Sequence, residues 1–157
     1  MKTLILGIGN PILQDDGVGL HVVQHMQHMV HDSSVVLDTA YTGGLNLLDH
    51  MRGYDRAILI DAVRHEAGRP GDVHRFSLSD TKVTHAGNPH DVSLPEALLL
   101  ARRIGEEHLP KEIIIVGIVV NPSFEFGEQL SDEVEAAIPR AVQMVLSELK
   151  NTQRNYT

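Results

Sequence analysis

Three residues in this 157-residue chain could share chemistry although they are far apart in sequence. Asp16 lies in the stretch GNPILQDDGVG, in the loop after the first apolar run. Asp61 closes a second run, ILID. His90 lies in GNPHDVS, just before a helix start. Two carboxylates and an imidazole make an oxygen, oxygen, nitrogen donor set that suits a borderline divalent metal such as nickel or zinc. Each also has a purely structural role open to it. Asp15 or Asp16 could cap a helix beginning near Gly17, Asp61 could hold loop amides, and His90 could bond its own turn.

The elements around these residues give the three groups a reason to meet. Thr3–Ile8, Val35–Leu37, Ala57–Ile60 and Ile113–Val120 read as strands, three of them continuously apolar, as expected when both sheet faces are covered. Val73–Phe76 is a weaker edge or antiparallel candidate. Helical spacing fills Gly17–Val30, with Leu20, Val23, Met26 and Val30 on one stripe, and Leu45–Arg52 after the Gly43-Gly44 turn. Leu94–Glu107 follows a capping box, Ser93 to Glu96, and Asp132–Lys150 follows Ser131 as N-cap with Pro139 inside it.

This order predicts an α/β protein, a three-layer sandwich whose twisted, mostly parallel sheet of about five strands carries helices on both faces. One domain is expected over residues 1–150, with 151–157 as a polar, frayed tail. Ligands of open α/β sheets bind outside the carboxyl ends of the strands, and Asp16, Asp61 and His90 all fall at that edge. The irregular stretches Arg64–Gly71 and Ser79–Asn88 would border it.

Composition excludes several classes. The net charge is −8 without a Lys/Arg cluster, a poor footprint for nucleic acid. Cys is absent, which removes disulfides, thiolate nucleophiles and Cys-based zinc sites. No run approaches the roughly 20 apolar residues of a membrane span, and the first apolar run is too short for a signal peptide. A cytoplasmic protein without membrane or nucleic-acid partners is expected. GIGNPI holds Ile12 at the third glycine position of GxGxxG, His65-Glu66 lacks the second His of HExxH, and no GxSxG elbow occurs. His21, His25 and His28 fall within about 60° of arc opposite the apolar stripe and read as a solvated face.

Across nearly its whole length the chain resembles the hydrogenase maturation endopeptidases. The resemblance runs through LILGIGNPILQDDGVGLHVV, YTGGLNLLDHMRGYDRAILIDAV, NPHDVSLPEALLLA and SFEFGEQLSDEVEAAIPRAV, in that order. It implies a protease that removes a C-terminal extension from the large-subunit precursor of a nickel–iron hydrogenase after nickel insertion, with nickel carried by that partner. It carries the metal-contacting residues to Asp16, Asp61 and His90; many members have Glu at the first. An acid considered for catalysis in an Asp-Gly-Gly-Thr turn matches Asp38 of LDTAYTGG with one residue inserted, so Asp16 and Asp38 are the candidate catalytic carboxylates. The acid that commonly precedes Pro after the last long strand is missing from GIVVNPS. Two other functions fit parts of the chain: a catalytically silent nickel-binding or assembly chaperone, and a peptidyl-tRNA hydrolase, which shares GxGNP but continues into Arg-His-Asn where this chain has QDDGVG.

Overall fold

A computed structural model describes residues 1–41, 45–65, 67–77, 83–85, 94–121 and 125–155. The strands are β1 (Thr3–Ile8), β2 (Val35–Ala40), β3 (Arg56–His65), β4 (Val73–Ser77), β5 (Val83–His85) and β6 (Glu112–Val119). The helices are α1 (Val18–Met26), preceded by a 3-10 turn at Gln14–Gly17, then α2 (Leu45–Met51), α3 (Leu94–Arg103) and α4 (Asp132–Asn155). Five strands run in the order β2-β1-β3-β6-β4, and β5 pairs with the far end of β3. The first four are mutually parallel, while β4 lies antiparallel on β6 and β5 antiparallel on β3.

Alternate residues of the central strands feed two cores, which is why their sequences are continuously apolar. Ile5, Ile58, Ile60, Val116 and Ile118 pack against α1 and α4 on one face. Leu4, Leu6, Ala57 and Leu59 pack against Leu47, Leu48 and Met51 of α2 and Ala101 of α3 on the other. The stripe of α1 is Val18, Gly19, Val22, Val23 and Met26, with Leu20 only partly covered. The helix rotates so that its smallest residue, Gly19, lies on the sheet. A Cβ at Gly19 would stand 2.3 Å from the Ile60 carbonyl oxygen and 2.6 Å from that of Ile8. Gly19→Ala is therefore expected to cost about 1–3 kcal/mol by pushing α1 off the strand ends. A urea midpoint unchanged from wild type would contradict that close approach.

Several boundaries move from their sequence expectations. β3 runs past Asp61 to His65, because Asp61, Ala62 and Val63 continue the pairing with Gly117, Ile118 and Val119 of β6. β5 lies within the stretch expected to be irregular, where three residues are too few to show a period. α1 stops at Met26 and α3 at Arg103. α4 passes unbroken through Pro139 and on to Asn155, so the helix takes in most of the segment expected to fray. That segment has neither Gly nor Pro to end it. The Gly43-Gly44 turn, the capping-box side chains Ser93 and Glu96, and most of 79–88 lie outside the described residues.

An internal ion cluster ties the sheet to α4. Arg56 is 2% exposed and donates through Nη2 to Glu148 Oε2 at 2.9 Å and through Nη1 to the Glu148 carbonyl at 2.9 Å. Arg75 Nε bonds the other oxygen of Glu148, and Glu112 stands 3.1 Å from Arg56 Nε. Buried charge of this kind holds only while its partners remain.

Candidate active site

The connection from β1 leads through α1 to β2 on one side, and the chain then returns through α2 to β3 on the other side of β1. This reversal of strand order opens a crevice at the carboxyl ends of β1 and β3, where open α/β sheets take their ligands. The register places Asp61 beside it. Gly7 pairs with Ile60 as the last β1–β3 partners, so Asp61 is the first β3 residue beyond the pairing. Its neighbour on the β6 side is Gly117. Asp61 is 8% exposed, and its position in the alternation puts it on the α2–α3 face.

Asp16 approaches from the other face, at the end of the 3-10 turn that opens α1 and packs against β3. The turn is folded tightly on the end of β1: a Cβ on Gly9 would come within 2.0 Å of the Asp16 carbonyl oxygen. Asp16 is 9% exposed, and its Oδ2 accepts from the Asn10 amide at 2.8 Å. Its other oxygen, Oδ1, is buried and has no hydrogen-bond partner among the described residues. An unsatisfied buried acceptor costs about 1–3 kcal/mol, more when charged. A buried acceptor in that condition calls for an explanation other than packing.

Asp15 has a different task. Its Oδ1 accepts from the Ser131 amide at 2.7 Å and its Oδ2 from the Ser131 hydroxyl at 2.8 Å. The carboxylate sits at the amino end of α4, where the helix dipole favours negative charge. Asp15 is thus engaged structurally, at both of its oxygens.

Asp38 lies on the edge strand β2, opposite Leu6 of β1, and hence on the α2–α3 face. Its Oδ1 accepts from the Thr39 amide at 2.8 Å, and its Oδ2 stands 3.2 Å from His50 Nδ1 on α2. The carboxylate is half exposed. His90 lies outside the described residues. It precedes α3, which packs on the face that carries Asp61. Among the described residues no three His, Cys, Asp or Glu side chains are grouped so as to hold a metal ion.

The histidine face of α1 behaves as a surface. His25 and His28 are exposed, and His25 Nδ1 bonds the His21 carbonyl at 2.8 Å. His21 and His25 border a cleft against Glu128, Asp132 and Glu135. Asn10, Gly19 and His50 were not among the sequence candidates. The i+3 spacing of Gly19 from Asp16 was the available signal for one of them; no local pattern marks the others.

Comparison with known proteins shows which family the chain is part of. The profile of the HycI family, hydrogenase maturation protease, matches residues 20–148. The chain belongs to the hydrogenase maturation protease family. It is 32% identical to the Hydrogenase 2 maturation protease of Escherichia coli (strain K12), over 97% of this chain and 93% of that one. It is 31% identical to the hydrogenase expression/formation protein HupD of Thiocapsa roseopersicina, over 94% of this chain and 67% of that one. Among solved structures, the hydrogenase maturating endopeptidase HybD from E. coli superposes with a TM-score of 0.75 at 25% identity, over 97% and 94% of the two chains. The NiFe hydrogenase maturation protease HybD from Thermococcus kodakarensis gives 0.66 at 26% identity, over 94% and 98%. The family resemblance, the α/β fold and the enzyme class expected from sequence are thus borne out. A hydrogenase maturation protease is a peptide-bond hydrolase, and an enzyme of that class must position a water and a scissile carbonyl. No helix among the described residues is long and apolar enough to cross a membrane.

Proposed function

We propose that this hydrogenase maturation protease removes a C-terminal extension from the large-subunit precursor of a nickel–iron hydrogenase after nickel insertion, working in the cytoplasm. Asp16, Asp61 and His90 face the nickel, which the precursor brings with it. The observation that carries the proposal is the buried Asp16 Oδ1, without a partner among the described residues, at the strand ends that Asp61 also borders. Oxygen donors from two faces of the sheet, with an imidazole from the loop before α3, suit a borderline cation. Three protein donors leave coordination positions for the substrate's own ligands.

The reaction is hydrolysis. Water adds to the scissile carbonyl, its proton passes to a carboxylate, and the departing amine is protonated as the bond breaks. Without Cys and without a serine elbow, no covalent acyl-enzyme is needed. Asp38 is the second catalytic carboxylate, and His50 at 3.2 Å orients it. Nickel bound by the substrate fixes the precursor in place and supplies positive charge near the carbonyl.

The proposal implies discrimination at the binding step. Wild-type protein should bind nickel-loaded precursor at least about 10-fold more tightly than nickel-free precursor, one donor being worth roughly the 1.4 kcal/mol behind a tenfold change. Asp61→Ala and His90→Ala should each abolish that preference while leaving the thermal midpoint within a few degrees of wild type. Retained discrimination in His90→Ala would remove His90 from the set. A stable complex with wild-type protein and no cleavage would favour the assembly-chaperone alternative.

A further inference from the structure

We infer that Asp15 is a positioning residue for the proteolytic reaction: by gripping Ser131 it fixes the 3-10 turn that aims Asp16 into the crevice. This rests on the role proposed for Asp16 above. Side chains of consecutive residues in a 3-10 turn diverge by about 120°, so fixing one direction fixes the next. Asp15 is held at both oxygens by the amide and hydroxyl of Ser131, 116 residues away in sequence. Asp16 then points from the same turn to the strand ends, where it is 9% exposed.

The grip is reinforced on its other side. The Gln14 amide donates to the Gly127 carbonyl at 2.8 Å, and the Gly127 amide to the Ile12 carbonyl at 2.8 Å. Leu13 and Gly127 form a parallel bridge. Gln14 itself adopts φ 48°, the left-handed region that costs a non-glycine residue roughly 1–2 kcal/mol. It is the one described non-glycine residue with positive φ, and it directly precedes the two acids. A backbone held in a sparsely populated conformation persists only where its surroundings over-determine it. Here those surroundings are the 125–131 segment and the amino end of α4. The acids of the DD pair therefore act in series, one holding and one facing the substrate.

The chemistry of the grip separates position from charge. Asn at position 15 keeps both bonds, its carbonyl accepting from the Ser131 amide and its NH2 donating to the hydroxyl oxygen. Ala loses both. Steady-state processing of nickel-loaded precursor would be measured for wild type, Asp15→Ala, Asp15→Asn, Ser131→Ala, Asp15→Ala with Ser131→Ala, and Asp16→Ala. We expect Asp15→Ala to lower kcat by ~100-fold with KM within about twofold, the usual scale for a misplaced catalytic group. Asp15→Asn should recover to within about threefold of wild type. Ser131→Ala keeps the amide bond and should lose about 10-fold, and the double variant should be no slower than Asp15→Ala alone, since both act through one contact.

Wild-type kcat in Asp15→Ala, a loss confined to KM, or an Asp15→Asn variant as slow as Asp15→Ala would each overturn the positioning role. If Asp15→Ala does not fold, Asp15→Asn and Ser131→Ala still decide it by the same figures. Full processing by Asp16→Ala would instead overturn the proposed site itself. An inactive Asp16→Ala beside a fully active Asp15→Ala would overturn the grip alone.

Discussion

Alanine at position 16 is expected to leave the precursor essentially uncut while the protein melts within a few degrees of the wild-type temperature. The two halves of that result come from one atom. Asp16 Oδ1 is buried without a partner among the described residues, a condition that lowers stability in the free protein. Removing the carboxylate relieves the cost, although the Asn10 amide loses the acceptor it has at 2.8 Å. The two changes are of similar size and opposite sign, so the melting temperature should stay within a few degrees of wild type. Catalysis has no such compensation. Loss of a positioned carboxylate typically lowers the rate by about 10²–10⁴-fold. Scanning calorimetry together with single-turnover processing measures both. A marked drop in stability with near-normal rate would make Asp16 a structural acid and leave the crevice without its principal ligand.

The largest stability effect should come from a residue with no part in the chemistry. Glu148→Ala is expected to destabilise the protein by about 3 kcal/mol, near the lower end of what breaking a buried pair costs. Arg56 is 2% exposed and would keep its guanidinium in the interior with the Glu148 backbone carbonyl at 2.9 Å and the half-exposed Glu112 at 3.1 Å. Arg75 would lose its bond to the same carboxylate. For a chain of this length the shift corresponds to roughly 6–12 °C in Tm. Replacing both Arg56 and Glu148 by apolar residues of similar volume should restore much of the loss, because the cost lies in stranding one charge. The turnover of the folded fraction should be unchanged, since the cluster ties the amino end of β3 to α4, away from the strand ends where Asp61 lies. A midpoint shift under about 2 °C for Glu148→Ala would show that the partners Arg56 keeps, Glu112 among them, suffice to hold its charge.

Continuous apolar runs made the central strands legible, because burial on both faces removes the alternation that obscures shorter strands. The same feature hid the true end of β3. Asp61 looks like a stop after ILI, yet Ala62 and Val63 are as buried as the residues before it and keep pairing with β6. An acid inside a strand is possible there because the pairing of β3 with β1 ends at Ile60, one residue before it. The site's edge was therefore legible from Asp61's place in the order of elements, while its geometry was not. The contact of Asp15 with Ser131, which separates the roles of the two adjacent acids, joins the first loop to the last helix and leaves no local pattern. Asp38 had a sequence rationale, but its companion His50 sits 12 residues on, at a spacing set by the packing of α2 on β2.

We propose that this chain cuts a nickel-bearing precursor at the strand ends that carry Asp16 and Asp61. The most direct test is the intact mass of a nickel-loaded hydrogenase large-subunit precursor before and after incubation with the protein. Loss of one C-terminal peptide is expected, with the mass unchanged for nickel-free precursor and for the Asp16→Ala protein. Cleavage of nickel-free precursor at the same rate, or by Asp16→Ala at the wild-type rate, would contradict it.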